Sequence, residues 1–89
     1  MNITDVRVRL IDKEDSKLKA VVSITIDNSF AVHDIKIVEG PDNYFVSMPS
    51  RRTKNGSFRD TAHPINAEAR TQIVETILNA YNKELSNQN

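Results

Sequence analysis

Two stretches near the start of the chain alternate apolar and polar residues with a period of two, and that alternation restricts the fold more than any other feature. In residues 3–11, Val6, Val8 and Leu10 fall on one side and Asp5, Arg7 and Arg9 on the other. In residues 18–26, Leu18, Ala20, Val22, Ile24 and Ile26 share a face opposite Lys19, Val21, Ser23 and Thr25. A period of two marks a strand with one buried face, because successive side chains leave a pleated backbone in opposite directions. The polar run from Asp12 to Lys17 reads as the turn between them. The chain therefore opens as an antiparallel hairpin.

The pattern continues beyond it. Asp27-Asn28-Ser29 is a cluster of turn formers whose side chains bond their own backbone. A third strand is expected over Phe30 to Glu39, and its alternation slips at His33-Asp34, the mark of a bulge or of burial on both sides. Glu39 to Asn43 contains Gly40-Pro41 and reads as a loop. Tyr44 to Met48 is a short apolar strand closed by Pro49, which cannot donate to a ladder. Asn55-Gly56 predicts a two-residue type I′ hairpin turn, with a return strand from Ser57 to Thr61.

A helix closes the chain. Asn66 is a suitable N-cap and Glu68 suits the positive end of the helix dipole. Ile73, Ile77, Ala80 and Tyr81 recur at helical spacing, with Val74, Leu78 and Leu85 widening the stripe. The helix is expected from about Ala67 to Glu84, with a frayed tail over 86–89. The fold class is α+β: a small antiparallel β-sheet of four to five strands, followed by one C-terminal amphipathic helix packed on or beside it.

Eighty-nine residues hold one domain, placed at residues 1–85. A chain this short buries only roughly 60–65% of its unfolded surface. It has no cysteine, so neither disulfides nor thiolate metal sites add stability, and self-association is the remaining common route to a larger core. The opening residues form no apolar signal segment, and no run of about 18 apolar residues occurs. The expected location is the cytoplasm.

Charge is uneven. The formal net charge is zero, yet Arg51, Arg52, Lys54 and Arg59 fall within nine residues, with no acid between Ser50 and Arg59. Residues 50–70 hold five cations against two acids, a balance of +3. Phosphate attraction follows local charge, so a neutral chain can still bind a polyanion through one surface. A solvated loop would show the same composition. Arg70 lies in the first helical turn, where free N–H groups also favour phosphate. Phe58 either stacks on a base or covers the core, and the core is the expected place.

Other chemistry is poorly supported. His33-Asp34 and Asp60 with His63 invite a metal or acid–base reading, but no HxH, HExxH or CxxC spacing accompanies them. Ser47 and Ser50 lack a nucleophile elbow, and two glycines make no phosphate loop. The expectation is a protein that is not an enzyme and uses no cofactor or metal.

Several blocks carry a family likeness: Ile3-Thr4-Asp5-Val6-Arg7, Val32-His33-Asp34-Ile35, Met48-Pro49-Ser50-Arg51-Arg52-Thr53, Gly56, Phe58-Arg59-Asp60 and Ala62-His63-Pro64-Ile65-Asn66. In this collinear order, from Met1 to Tyr81, the chain resembles the stage V sporulation protein G family of bacterial regulators. The resemblance implies a small α+β homodimer, joined through the sheet, that binds DNA site-specifically, in some members also RNA, and regulates gene expression. In spore formers it implies a link to septation and spore cortex formation; in relatives without spores, to virulence and capsule genes. The segment joining sheet to helix is the implied contact region, which here means Arg51, Arg52, Lys54, Arg59 and Arg70. Gln72, Thr76 and Asn79 on the helix can bond base edges, although Arg70 and Lys83 are its only cations. A protein–protein adaptor acting through an edge strand or the helix is the rival expectation.

Overall fold

The computed structural model describes residues 1–87. Its elements are β1 (Ile3–Leu10), β2 (Leu18–Ile26), β3 (Phe30–Glu39), β4 (Tyr44–Ser47), β5 (Ser50–Arg52), β6 (Phe58–Asp60) and α1 (Ala67–Asn87). The first four strands form an antiparallel meander in the order β1-β2-β3-β4, while β5 and β6 form a separate two-stranded hairpin. This is the expected α+β class.

The alternation selects the buried face. Val8 pairs with Val22, Val22 with Ile35, Ala20 with Ile37, and Ile37 with Val46. Helix α1 lies over that face, adding Ile73, Ile77 and Tyr81 to a core that also holds Ala20, Val22, Ile24, Ile35 and Ile37. No buried polar side chain lacks a partner among the described residues. Asn66 caps the helix, its Oδ1 accepting from the Ala69 amide at 2.7 Å. At the far end of the helix Tyr81 meets Tyr44 edge to face, with centroids 5.3 Å apart. Burial pushes the Tyr81 hydroxyl pKa upward, helped by its neighbours Tyr44 and Glu39.

Besides a shift at Ile3–Asp5 in the β1–β2 pairing, two bulges adjust the register between β2 and β3. At Leu18–Ala20 the shift turns Lys19 to the helix side, where it pairs with Glu39 at 3.7 Å and lines a cleft with Tyr81 and Leu85. Simple alternation had placed Lys19 on the opposite face. The second bulge lies at the predicted slip: Val22 pairs with Ile35 and Ile24 with Val32, so Ser23 faces both His33 and Asp34. Asp34 there adopts φ 63°, a left-handed conformation that disfavours side chains.

Three expectations need correction. The helix runs past Glu84 to Asn87, so Ser86 and Asn87 are helical rather than frayed, and the Ser86 hydroxyl donates to the Asn82 carbonyl at 3.2 Å. The rest of the expected tail, 88–89, lies outside the described residues. The hairpin turn is not a two-residue type I′ turn, because only Gly56 has positive φ, at 84°. Instead Thr53 N donates to Ser57 O at 2.7 Å and Gly56 N to Thr53 O at 3.1 Å, giving a three-residue loop with its left-handed residue last. Finally, Phe58 does not cover the core: it is 71% exposed.

Candidate nucleic-acid interface

The β5–β6 hairpin stands apart from the body. All six of its strand residues are exposed, and it makes extensive contact with neither sheet nor helix. Pro49 explains the break, since it ends β4 and prevents β5 from continuing the meander. The hairpin is tied back at its base: Thr61 N and Thr61 Oγ1 both donate to the Pro49 carbonyl, at 2.7 and 3.1 Å. At its tip the Thr53 hydroxyl donates to the Asn55 side chain.

The pairing register distributes the cations. Arg51 lies directly across from Arg59, and Arg52 across from Phe58. One hairpin face therefore carries Arg51 and Arg59, which line a shallow concavity with Thr53, Lys54, Asn55 and Ser57. The other carries Arg52, whose guanidinium comes close to Gly56, beside exposed Phe58. Arg70 is exposed on the first turn of α1 and is not part of that concavity. Of the five expected contact residues, the fold thus gathers three, turns Arg52 to the reverse face and leaves Arg70 on the helix.

None of these five cations forms an ion pair among the described residues, where the ion pairs are Arg7–Asp5 and Lys19–Glu39. Directly opposed like charges destabilise a strand pair. The Arg51–Arg59 pair carries that cost without an internal acid to relieve it, and an external anion between the two guanidinium groups would remove it.

The helix contributes less. Glu68 and Glu75 stand with Gln72 along one exposed side, an acidic flank unsuited to phosphate. Gln72 is also engaged, donating to the Met1 carbonyl at 2.7 Å. His63 lies next to Pro64 before the helix, its Nδ1 3.1 Å from the Pro64 carbonyl. His33 faces Ser23 on the sheet. What alternation alone missed is an apolar groove of about 310 Å³ between the helix start and one end of the sheet, lined by Phe30, Val32, Met48 and Ile65 among others. Phe30 is 66% and Ile65 87% exposed. Their apolar character beside turn residues was the only signal.

A helix-covered meander with a detached cationic hairpin defines a small α+β protein built to present one charged limb. Comparison with known proteins then supplies the family: residues 1–83 match the SpoVG family model, and the chain belongs to that family. It is 58% identical over 86 residues to the "Putative septation protein SpoVG" of Heliobacterium modesticaldum, covering 97% of this chain and 96% of that one. It is 59% identical to the protein of the same name in Desulforudis audaxviator, covering 91% of each. The Clostridium perfringens protein of that name is 57% identical over 93% of this chain and 91% of its own. No helix of the described residues is long and apolar enough to cross a membrane.

Proposed function

We propose that the chain is a homodimeric, non-enzymatic regulator that binds DNA site-specifically, and RNA as well, through the β5–β6 hairpin. The observation that carries this reading is Arg51 opposite Arg59 with no acid among the described residues paired to either. Guanidinium forks fit phosphate oxygens, and such contacts fix the register of a protein on nucleic acid. Lys54 extends that surface, and Arg52 and Arg70 flank it. The names of its relatives favour a role in septation, exercised in the cytoplasm.

Self-association through the sheet is supported by Phe30 and the neighbouring Ile65, too exposed for so small a core to spare. Two copies would present two hairpins to one polyanion. If each copy neutralises three phosphates, log K falls with log salt at a slope of about −5.

The test is a titration of duplex DNA at several salt concentrations, with Arg51→Glu/Arg52→Glu alongside. A slope near that value, abolished in a folded double variant, supports the reading. A slope shallower than about −2 overturns it. A protein-adaptor role is favoured by the free edge of β1 and by exposed Leu85; that role would survive the charge reversal intact.

A further inference from the structure

Helix α1 covers one face of the four-stranded sheet and leaves the other bare. On the bare face, register aligns side chains in rows across the strands. One row is Arg9, Val21, Lys36 and Ser47. The row beside it holds Arg7, Ser23 and the bulged His33-Asp34. On the opposite flank Val38 pairs with Phe45. Tyr44 turns inward to Tyr81, so its neighbour Phe45 faces away from the helix, and it is 57% exposed.

The centre of this face is shaped. An open cleft of about 430 Å³ lies between Arg7, Arg9, Ser23 and His33. The bulge brings His33 Nδ1 to 3.0 Å from Ser23 Oγ and holds Asp34 in its left-handed conformation. Strain of that kind persists where the surrounding structure enforces it, and it gathers at binding surfaces. Arg7 is anchored through its Nε to Asp5 at 3.0 Å, which leaves its terminal nitrogens free among the described residues. Arg9 and Lys36 form no ion pair there. They stand two strands apart, about 10 Å at ordinary strand spacing.

The geometry points to the bare face as a second nucleic-acid surface, one that takes a single strand: Arg7, Arg9 and Lys36 on its phosphates, and Phe45 stacked on a base. A shallow face on which Arg7, Arg9 and Lys36 outnumber Asp5 and Asp34, with one exposed aromatic, suits a strand whose bases are splayed out. A duplex hides its base faces and would leave Phe45 without a partner. This inference rests on the nucleic-acid reading above but assigns a different surface, so the two can fail separately.

The test uses oligo-uridine and a DNA duplex against the full chain. Arg9→Glu/Lys36→Glu should weaken oligo-uridine binding at least about tenfold, and Phe45→Ala about tenfold, with duplex affinity unchanged. Unmoved oligo-uridine affinity in both variants overturns the proposal. Amide shifts in the unaltered protein give a reading independent of variant folding: oligo-uridine should move Val21, Ser23 and Lys36. If it moves only Thr53 to Gly56, the bare face is excluded and the hairpin reading stands. If duplex fails to bind while oligo-uridine moves the bare face, the hairpin reading falls and this one stands. Equal affinity for poly-glutamate overturns the stacking role, because charge alone would then explain binding.

Discussion

The sheet–helix body and the β5–β6 hairpin solve opposite problems within one short chain. The body hides eight apolar side chains, from Ala20 to Tyr81, and leaves no buried side-chain nitrogen or oxygen without a partner among the described residues. The hairpin hides none of its six strand residues and opposes two arginines across its ladder. An isolated two-stranded hairpin is marginal in water; this one persists because Pro49 and Thr61 clasp its base and Gly56 closes its tip. Stability and charge are thus held by different parts of the molecule. Substitutions in one should leave the other's property almost untouched.

The sharpest way to break that comparison is Ile77→Ala. Ile77 is fully buried, and truncation should cost about 3 kcal/mol, read by chemical denaturation; a loss below about 1 kcal/mol would mean the helix is not part of the core. Charge reversal at Arg51 and Arg59 should do the converse. Duplex affinity should drop about a hundredfold while the unfolding midpoint holds or rises, since reversal of both residues only exchanges one like pair for another. A large fall in midpoint would show that the hairpin is integral to the body.

A smaller effect is expected at Gly56. Its φ of 84° suits no other residue well, so Gly56→Ala should strain the tip by about 1 kcal/mol. Because the tip is remote from the core, that strain should appear as faster local hydrogen exchange at the amides of Thr53 and residue 56, which bond the Ser57 and Thr53 carbonyls, rather than as a lower global midpoint. Smallest is the pH effect of Tyr81. Its folded pKa is raised, so the folded state holds the proton more tightly than the unfolded chain does. The contribution is present below about pH 10 and is lost as pH rises past it. Tyr81→Phe should flatten the alkaline limb of a stability–pH profile; an unchanged limb would assign the alkaline loss to other groups.

The body was legible in the sequence because its signals are local and repeated. Alternation over β1 and β2 reports burial directly, the slip at His33-Asp34 marks its own bulge, and Asn66 caps the helix it precedes. Lys19 escaped because one added residue on β2 exchanges the faces, and nothing in its neighbours' polarity marks the shift. Phe58 escaped for a different reason. An aromatic in a strand implies a surface to cover, but the sequence does not say whether that surface belongs to the same chain. The basic cluster was legible as composition, yet its division between two hairpin faces depends on register. Register followed from the loop length, and Asn55-Gly56 is compatible with both two-residue and three-residue loops. Arg70 was expected beside the hairpin from its place in the first helical turn; it lies on that turn, outside the concavity that Arg51, Lys54 and Arg59 line.

The position of α1 also has a bearing on how the chain is made. Three of the eight core side chains, Ile73, Ile77 and Tyr81, belong to α1, which is synthesised after all six strands. The helix packs most closely on β1, the strand farthest from it along the sequence, and Gln72 reaches back to Met1. During translation, therefore, the meander exists for a time with its apolar face open to water. That interval, rather than the finished protein, is when the chain is most exposed to misassembly.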